Sequence, residues 1–179
     1  MSFNIDYKNV GGGIVPEGTY EAVIKAAYED ATPKATIYIN VPLVIRNDIE
    51  QPYKNAYIWH AIWKKKEPND ADRQCGGYVS ASINMLSKAA GIPNGKPYAS
   101  LDELFEDLKG KPIRIKVKHE QYNGKTQAKV ESMEASKFLP CRHVFKQAAA
   151  AANAPQEYNM PPGIIYEIDD SLDDEELPF

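Results

Sequence analysis

The spacing of apolar residues changes twice along this chain, and those changes constrain the fold more than any single motif. Over residues 19–28, Tyr20, Ala22, Ile24, Ala26 and Tyr28 share one side while Glu21 and Lys25 share the other. A period of two marks a half-buried strand. Gly11-Gly12-Gly13 and Pro16-Glu17-Gly18 break the chain ahead of it. A second strand is expected over 35–46, with Ile37, Ile39, Val41, Leu43 and Ile45 on one face and Thr36, Tyr38, Asn40, Val44 and Arg46 on the other. Pro42 has no N–H to give to a ladder, which suggests an edge or a bulge there. A third strand is expected over 55–63, with Ile58, His60 and Ile62 opposite Tyr57, Trp59, Ala61 and Trp63.

The period then lengthens. Val79, Ile83, Leu86 and Ala90 recur at helical spacing, and Gly91 with Pro93 supplies the stop. Ser100 and Glu103 form a capping-box pattern that opens a second, short helix, which ends at Gly110. Alternation returns over 112–119, with Ile113, Ile115 and Val117 inward and Arg114, Lys116 and Lys118 outward. Asn123-Gly124 is a strong type I′ hairpin signal, and a fifth strand follows over 125–133. The order β-β-β-α-β-β predicts an all-β fold with a helical insert, a five-stranded OB-fold-like barrel. Other five-stranded barrels share that order, and a fold alone does not fix a function.

Composition narrows the class. A hydrophobic fraction of 43 % with 10 % aromatic residues supports a packed core. No apolar run approaches the ~18 residues of a membrane-spanning helix, so no membrane partner is expected. The opening Met-Ser-Phe-Asn-Ile-Asp lacks the order of a secretory signal. Cys75 and Cys141 lie far apart, which fits free thiols in a reducing cytoplasm. The net charge of −4 averages two unlike parts. Seven of the 25 acidic residues fall within 167–179, which has no Lys or Arg; the other 18 oppose 21 basic residues, so 1–166 carries about +3. Three regions are therefore expected: a barrel domain over 1–138, an Ala/Pro-rich linker over 139–166, and an acidic, disordered tail over 167–179.

Binding unpaired nucleic acid takes cations for phosphates and exposed rings for bases. Both occur on the same expected strand faces. The second strand offers Tyr38 and Arg46, and the third offers Tyr57, Trp59 and Trp63, followed by Lys64-Lys65-Lys66. The fourth adds Arg114, Lys116 and Lys118, and Tyr122 stands at the hairpin tip. The plainer alternatives are core packing for the rings and an ordinary solvated surface for the lysines. Enzymatic chemistry finds little support. His60, His119 and His143 are scattered, and Cys141 with His143 is too small a set for zinc. P-loop and G-x-S-x-G motifs are lacking. Asp48 and Glu50 beside Arg46 read more simply as a solvated loop than as a nuclease site. No cofactor and no metal are expected.

The end of the chain carries the sharpest signal. Asp173-Asp174-Glu175-Glu176 runs into Leu177-Pro178-Phe179, an apolar tip on an acidic segment. Such a tip suits a receptor with an apolar slot rimmed by Arg or Lys. It resembles the acidic tail of bacterial single-stranded DNA-binding proteins, which docks onto replication, repair and recombination proteins. The body resembles a family of small phage-encoded proteins found among replication and recombination genes and long catalogued as of unknown function. Pro-Glu-Gly-Thr-Tyr-Glu-Ala at 16–22, Leu-Val-Ile-Arg-Asn-Asp at 43–48, Ile-Trp-Lys at 62–64 and Ala-Ala-Gly-Ile-Pro at 89–93 carry that similarity. The resemblance implies single-stranded DNA as ligand and a phage protein acting in the cytoplasm of the bacterial host. A recombinase, helicase, polymerase or primase would be the tail's partner. Barrels of this kind often associate, so a homodimer is a reasonable expectation. A rival reading is an adaptor that binds or sequesters host replication factors without touching DNA. A cold-shock-type RNA chaperone is a third.

Overall fold

The computed structural model describes residues 13–146. The described chain runs β1 (Gly18–Ile24), β2 (Tyr28–Ala31), β3 (Ile37–Ile45), β4 (Tyr57–Trp63), α1 (Asp70–Gln74), α2 (Ser80–Ala89), α3 (Leu101–Leu108), β5 (Pro112–Tyr122) and β6 (Lys125–Ala135). All six strands join one open antiparallel sheet in the order β2-β3-β1-β5-β6, with β4 also paired to β3. None of the described helices is long and apolar enough to cross a membrane.

Where one strand was expected over 19–28, there are two. Ala22–Ile24 of β1 pair with Leu43–Ile45, and Tyr28–Ala31 of β2 pair with Ile37–Asn40, so both lie against β3. Side-chain parity flips across residues 25–27. Tyr20, Ala22 and Ile24 point into the core, but Tyr28 emerges on the outer face beside Asn40. An irregularity of this kind moves every later side chain to the opposite face. β1 also pairs along its length with β5, from Gly18↔Val117 to Val23↔Pro112.

The core forms between this sheet and two helices. Ile39, Val41, Leu43 and Ile45 of β3 meet Ile58 and Ile62 of β4 and Ile113, Ile115 and Val117 of β5. Ile83, Leu86 and Ala89 of α2 close it from the helical insert, as do Leu104, Phe105 and Leu108 of α3. Both helices start on side-chain oxygens. Ser100 Oγ accepts the Glu103 N–H at 3.3 Å. At the start of α2, Asp72 takes the N–H and hydroxyl of Ser80 at 2.9 and 2.8 Å. Asp72 is buried and also holds Lys65 Nζ at 2.9 Å, which ties the segment after β4 to the insert. Its carboxyl is held well below the usual range, first by Lys65 and then by the Ser80 N–H.

β5 and β6 form the expected hairpin. Asn123 (φ 48°) and Gly124 (φ 72°) both take the left-handed conformation that a type I′ turn demands. Past β6 the chain folds back as a strap over residues 136–144. Arg46 donates to Ser136 Oγ at 3.0 Å and to the Phe138 carbonyl at 2.7 Å, while Asp48 accepts the Arg142 N–H at 2.7 Å. Asn47 exchanges hydrogen bonds with Val144 and donates its N–H to His143 Nδ1. The strap covers the end of β3 and part of β1. The described residues through Phe145 belong to one compact unit.

Candidate nucleic-acid interface

Strand register assigns the outer face row by row. Across β2, β3 and β4 the first row is Asp30–Tyr38–Trp63 and the second is Tyr28–Asn40–Ala61. The third is Pro42–Trp59 and the fourth Val44–Tyr57. Five rings therefore project from one continuous face. Trp59 is 58 % exposed, Trp63 45 %, Tyr57 42 % and Tyr28 40 %, with Tyr38 half-buried. Four of them pack in two pairs. Tyr38 lies 4.8 Å from Trp63 with planes at 31°, and Tyr57 lies 5.8 Å from Trp59 at 24°. Lys25 reaches over β3, placing Nζ 4.9 Å from the centre of the Tyr57 ring and donating to its hydroxyl at 2.5 Å.

Half-exposed aromatics in β4 are what alternation produces when one strand face is solvated. Ile58 and Ile62 enter the core and leave Tyr57, Trp59 and Trp63 outside. His60 shares the inward side, and burial pushes its imidazole down to about 4. Tyr28, Lys25 and Asp30 belong to this face although sequence reasoning did not place them there. Asp30 Oδ2 accepts the Tyr38 hydroxyl at 3.1 Å and Asn40 Nδ2 at 3.3 Å. Its carboxyl lies below the usual range, held chiefly by the Ala31 N–H and then by Asn40 and Tyr38.

Arg46 corrects an expectation. It was expected on an exposed face, but it is 0 % exposed and makes a bidentate pair with Asp48 at 2.9 and 2.6 Å. β3 is central, and the strap roofs the outer side of its C-terminal end, so Arg46 is buried there. The guanidinium thus holds the strap down and is out of reach of a phosphate. Asp48 is correspondingly held down at about 2, mainly by its bonds to Arg46. Glu21, also expected outside, is buried beneath the same strap and accepts the Ser136 hydroxyl at 2.6 Å.

The remaining cations fall into two groups. Lys64, exposed, stands over the Tyr78 ring at 4.9 Å, while Tyr78 donates to Glu29. Lys65 is engaged with Asp72, and Lys66 is exposed beside it. Arg114, Lys116 and Lys118 project from β5 on the same side of the sheet as the rings, by the parity of β1 between them. Three strand spacings, about 14 Å along the sheet, separate β5 from β4. Arg114 is 3.8 Å from Glu21 and Lys116 2.7 Å from Glu131, so part of this charge is neutralised at home. A shallow cleft of about 200 Å³ is lined by Arg114, Lys116 and Lys137 with Thr19, Ser132 and Glu134. Tyr122 at the hairpin tip is exposed and belongs to neither ring pair.

Among the described residues no group of three or more His, Cys, Asp or Glu side chains could hold a metal ion. The acidic run and tip, Asp173, Asp174, Glu175, Glu176, Leu177, Pro178 and Phe179, lie outside the described residues. No curated protein matches the chain. A family model does match, over residues 3–151, under the description protein of unknown function (DUF669). That span takes in every described residue, ring face and strap included, and the chain belongs to this family.

Proposed function

We propose that this protein binds single-stranded DNA, coating it through base stacking on the β2–β3–β4 face and phosphate contacts at its margins. The observation that carries the reading is the set of five rings on one outer face with Trp59, Trp63 and Tyr57 close to half exposed or more. Leaving that much aromatic surface in water forfeits burial worth about 25 cal/mol per Å², and a stacked base recovers it. Lys25 reaches the Tyr57 ring and supplies a cation for the backbone beside it. Pairing of β1 with both β3 and β5, with a helical insert between β4 and β5, supports an OB-like barrel left open between β4 and β6. Barrels of that type bind oligonucleotides on the corresponding strands. In this reading the acidic tail ending at Phe179 recruits replication or recombination proteins to coated strands, in a phage setting within the bacterial cytoplasm.

The test is intrinsic tryptophan fluorescence of the full chain titrated with a mixed-sequence oligonucleotide at low and high salt. Stacking on Trp59 and Trp63 quenches the signal, and affinity falls as salt rises because counterions are released from the phosphates. An unquenched titration at low salt would overturn the proposal and favour the adaptor reading.

A further inference from the structure

The ring face has a polar floor, and acceptors predominate on it. Trp59 and Trp63 are four residues apart on one strand, about 13 Å at the rise of a β-strand. Between them the second row carries only Ala61 and Asn40, with Tyr28 at its end. Ala61 places only a methyl group on the sheet between the two tryptophans. Asn40 is 9 % exposed, and its Nδ2 donates to Tyr28 Oη and Asp30 Oδ2, both at 3.3 Å. A carboxylate can only accept, so the amide nitrogen must face Asp30 and the amide oxygen must face away from it. Asp30 Oδ1 accepts the Ala31 N–H at 2.8 Å and Oδ2 takes Tyr38 and Asn40. Each carboxylate oxygen has two lone pairs, so acceptor capacity remains on a side chain that is half-exposed. Acceptor capacity on this row thus lies with the Asn40 carbonyl and the Asp30 carboxylate, while the Tyr28 hydroxyl, which accepts from Asn40, keeps its own proton at the row's end.

Resting on the single-strand reading above, we propose that this slot selects bases bearing an exocyclic amino group, cytosine foremost, over thymine and uracil. Cytosine N4–H₂ offers donors where thymine O4 offers only an acceptor. Thymine O4 set against Asn40 Oδ1 or Asp30 places two acceptors face to face. The remaining rings stack on any base, so the selection acts on one position in an otherwise tolerant track. One hydrogen bond gained or lost at a half-buried site changes affinity roughly three- to tenfold.

The experiment compares oligo-dC with oligo-dT of equal length at a pH above neutrality, read by quenching of the full-length protein, with a mixed-sequence oligonucleotide as reference. Expected is a roughly three- to tenfold tighter dC complex. Asp30→Asn, which keeps the shape but adds a donor, should shrink or reverse that ratio. Asn40→Leu should erase the preference; should that buried change disturb folding, Asp30→Asn alone decides. Equal dC and dT affinities with good mixed-sequence binding would overturn the selectivity and leave the binding reading standing. A dC preference that survives both substitutions would also overturn it, because the selection would then lie elsewhere. Failure to bind any of the three oligomers would sink the binding reading itself.

Discussion

Removing the two tryptophans tests the proposed face most directly. Alanine in place of a stacking ring costs about 1–3 kcal/mol per base, so Trp59→Ala and Trp63→Ala should each weaken binding by roughly 5- to 150-fold. The pair are about 13 Å apart by strand rise and belong to different ring pairs, Tyr57–Trp59 and Tyr38–Trp63. They would serve different bases, so their effects should nearly add. The double variant is expected to lose about 2–6 kcal/mol, at least about thirtyfold. Its fold should survive. With Trp59 58 % and Trp63 45 % exposed, neither truncation approaches the 3–5 kcal/mol of a core aromatic, though each forfeits a ring pair worth about 0.5–1.5 kcal/mol. The assay is fluorescence anisotropy of a labelled mixed-sequence oligonucleotide of about 16 nucleotides, since the intrinsic reporter is gone, alongside urea unfolding. A folded double variant binding within about twofold of the parent would refute the reasoning, because rings that cost nothing to remove are not the platform.

Three further outcomes follow from the same geometry. Arg46→Met strands Asp48, Ser136 and the Phe138 carbonyl without their donor; it should cost about 3–5 kcal/mol, move the urea midpoint down by roughly 1.5–2.5 M at a slope near 2 kcal/mol per M, and expose Lys137 and Arg142 to trypsin. A shift below about 0.5 M would show the strap is held by something else. Acid should destabilise the protein in two stages. His60, lowered to about 4 by burial, is neutral in the fold but protonates in the unfolded chain below about 6.5, so stability falls with pH between those values. Asp48, lowered to about 2, contributes stability that is full above the unfolded carboxylate value near 3.9 and is lost as pH falls through 2. His60→Gln should shrink the first stage, to which His143, also lowered by burial, adds, and spare the second, as read from urea midpoints across pH. Gly124→Ala places a Cβ at φ 72° and should cost about 1–2 kcal/mol with no loss of the ring face; an unchanged midpoint would mean that the turn tolerates the strain.

Alternation exposed most of this fold because most strands of the sheet have one apolar side. Ile58 and Ile62 against Trp59 and Trp63 could be read directly, as could Asn123-Gly124 and the Ser100 cap. The ring face was legible for the same reason. Two features were not. Ala26 and Ala27 are small and apolar and fit either side of a strand, so nothing in the residue types marks the parity flip that carries Tyr28 and Asp30 outward. Short α1 likewise gave no apolar period, since Asp70–Gln74 is held by a capping box between Asn69 and Asp72 and not by a buried face.

Arg46 shows the deeper limit. Periodicity says which face of a strand a side chain takes, and it placed Arg46 and Tyr38 together correctly. It does not say what comes to lie on that face later in the chain. The strap arrives from residues 90 or more positions away, brought by Ser136, Phe138 and Arg142, none of which carries a local pattern. Asp48, two residues from Arg46, was the available hint, because a bidentate carboxylate beside an arginine competes with any phosphate for the same fork. Basic residues near exposed rings should therefore be counted toward a nucleic-acid site only after their nearest carboxylates are counted against it. By that rule Lys25 stays in the proposed interface, Lys65 and Lys116 enter only by exchanging Asp72 or Glu131 for a phosphate, and Arg46 leaves it.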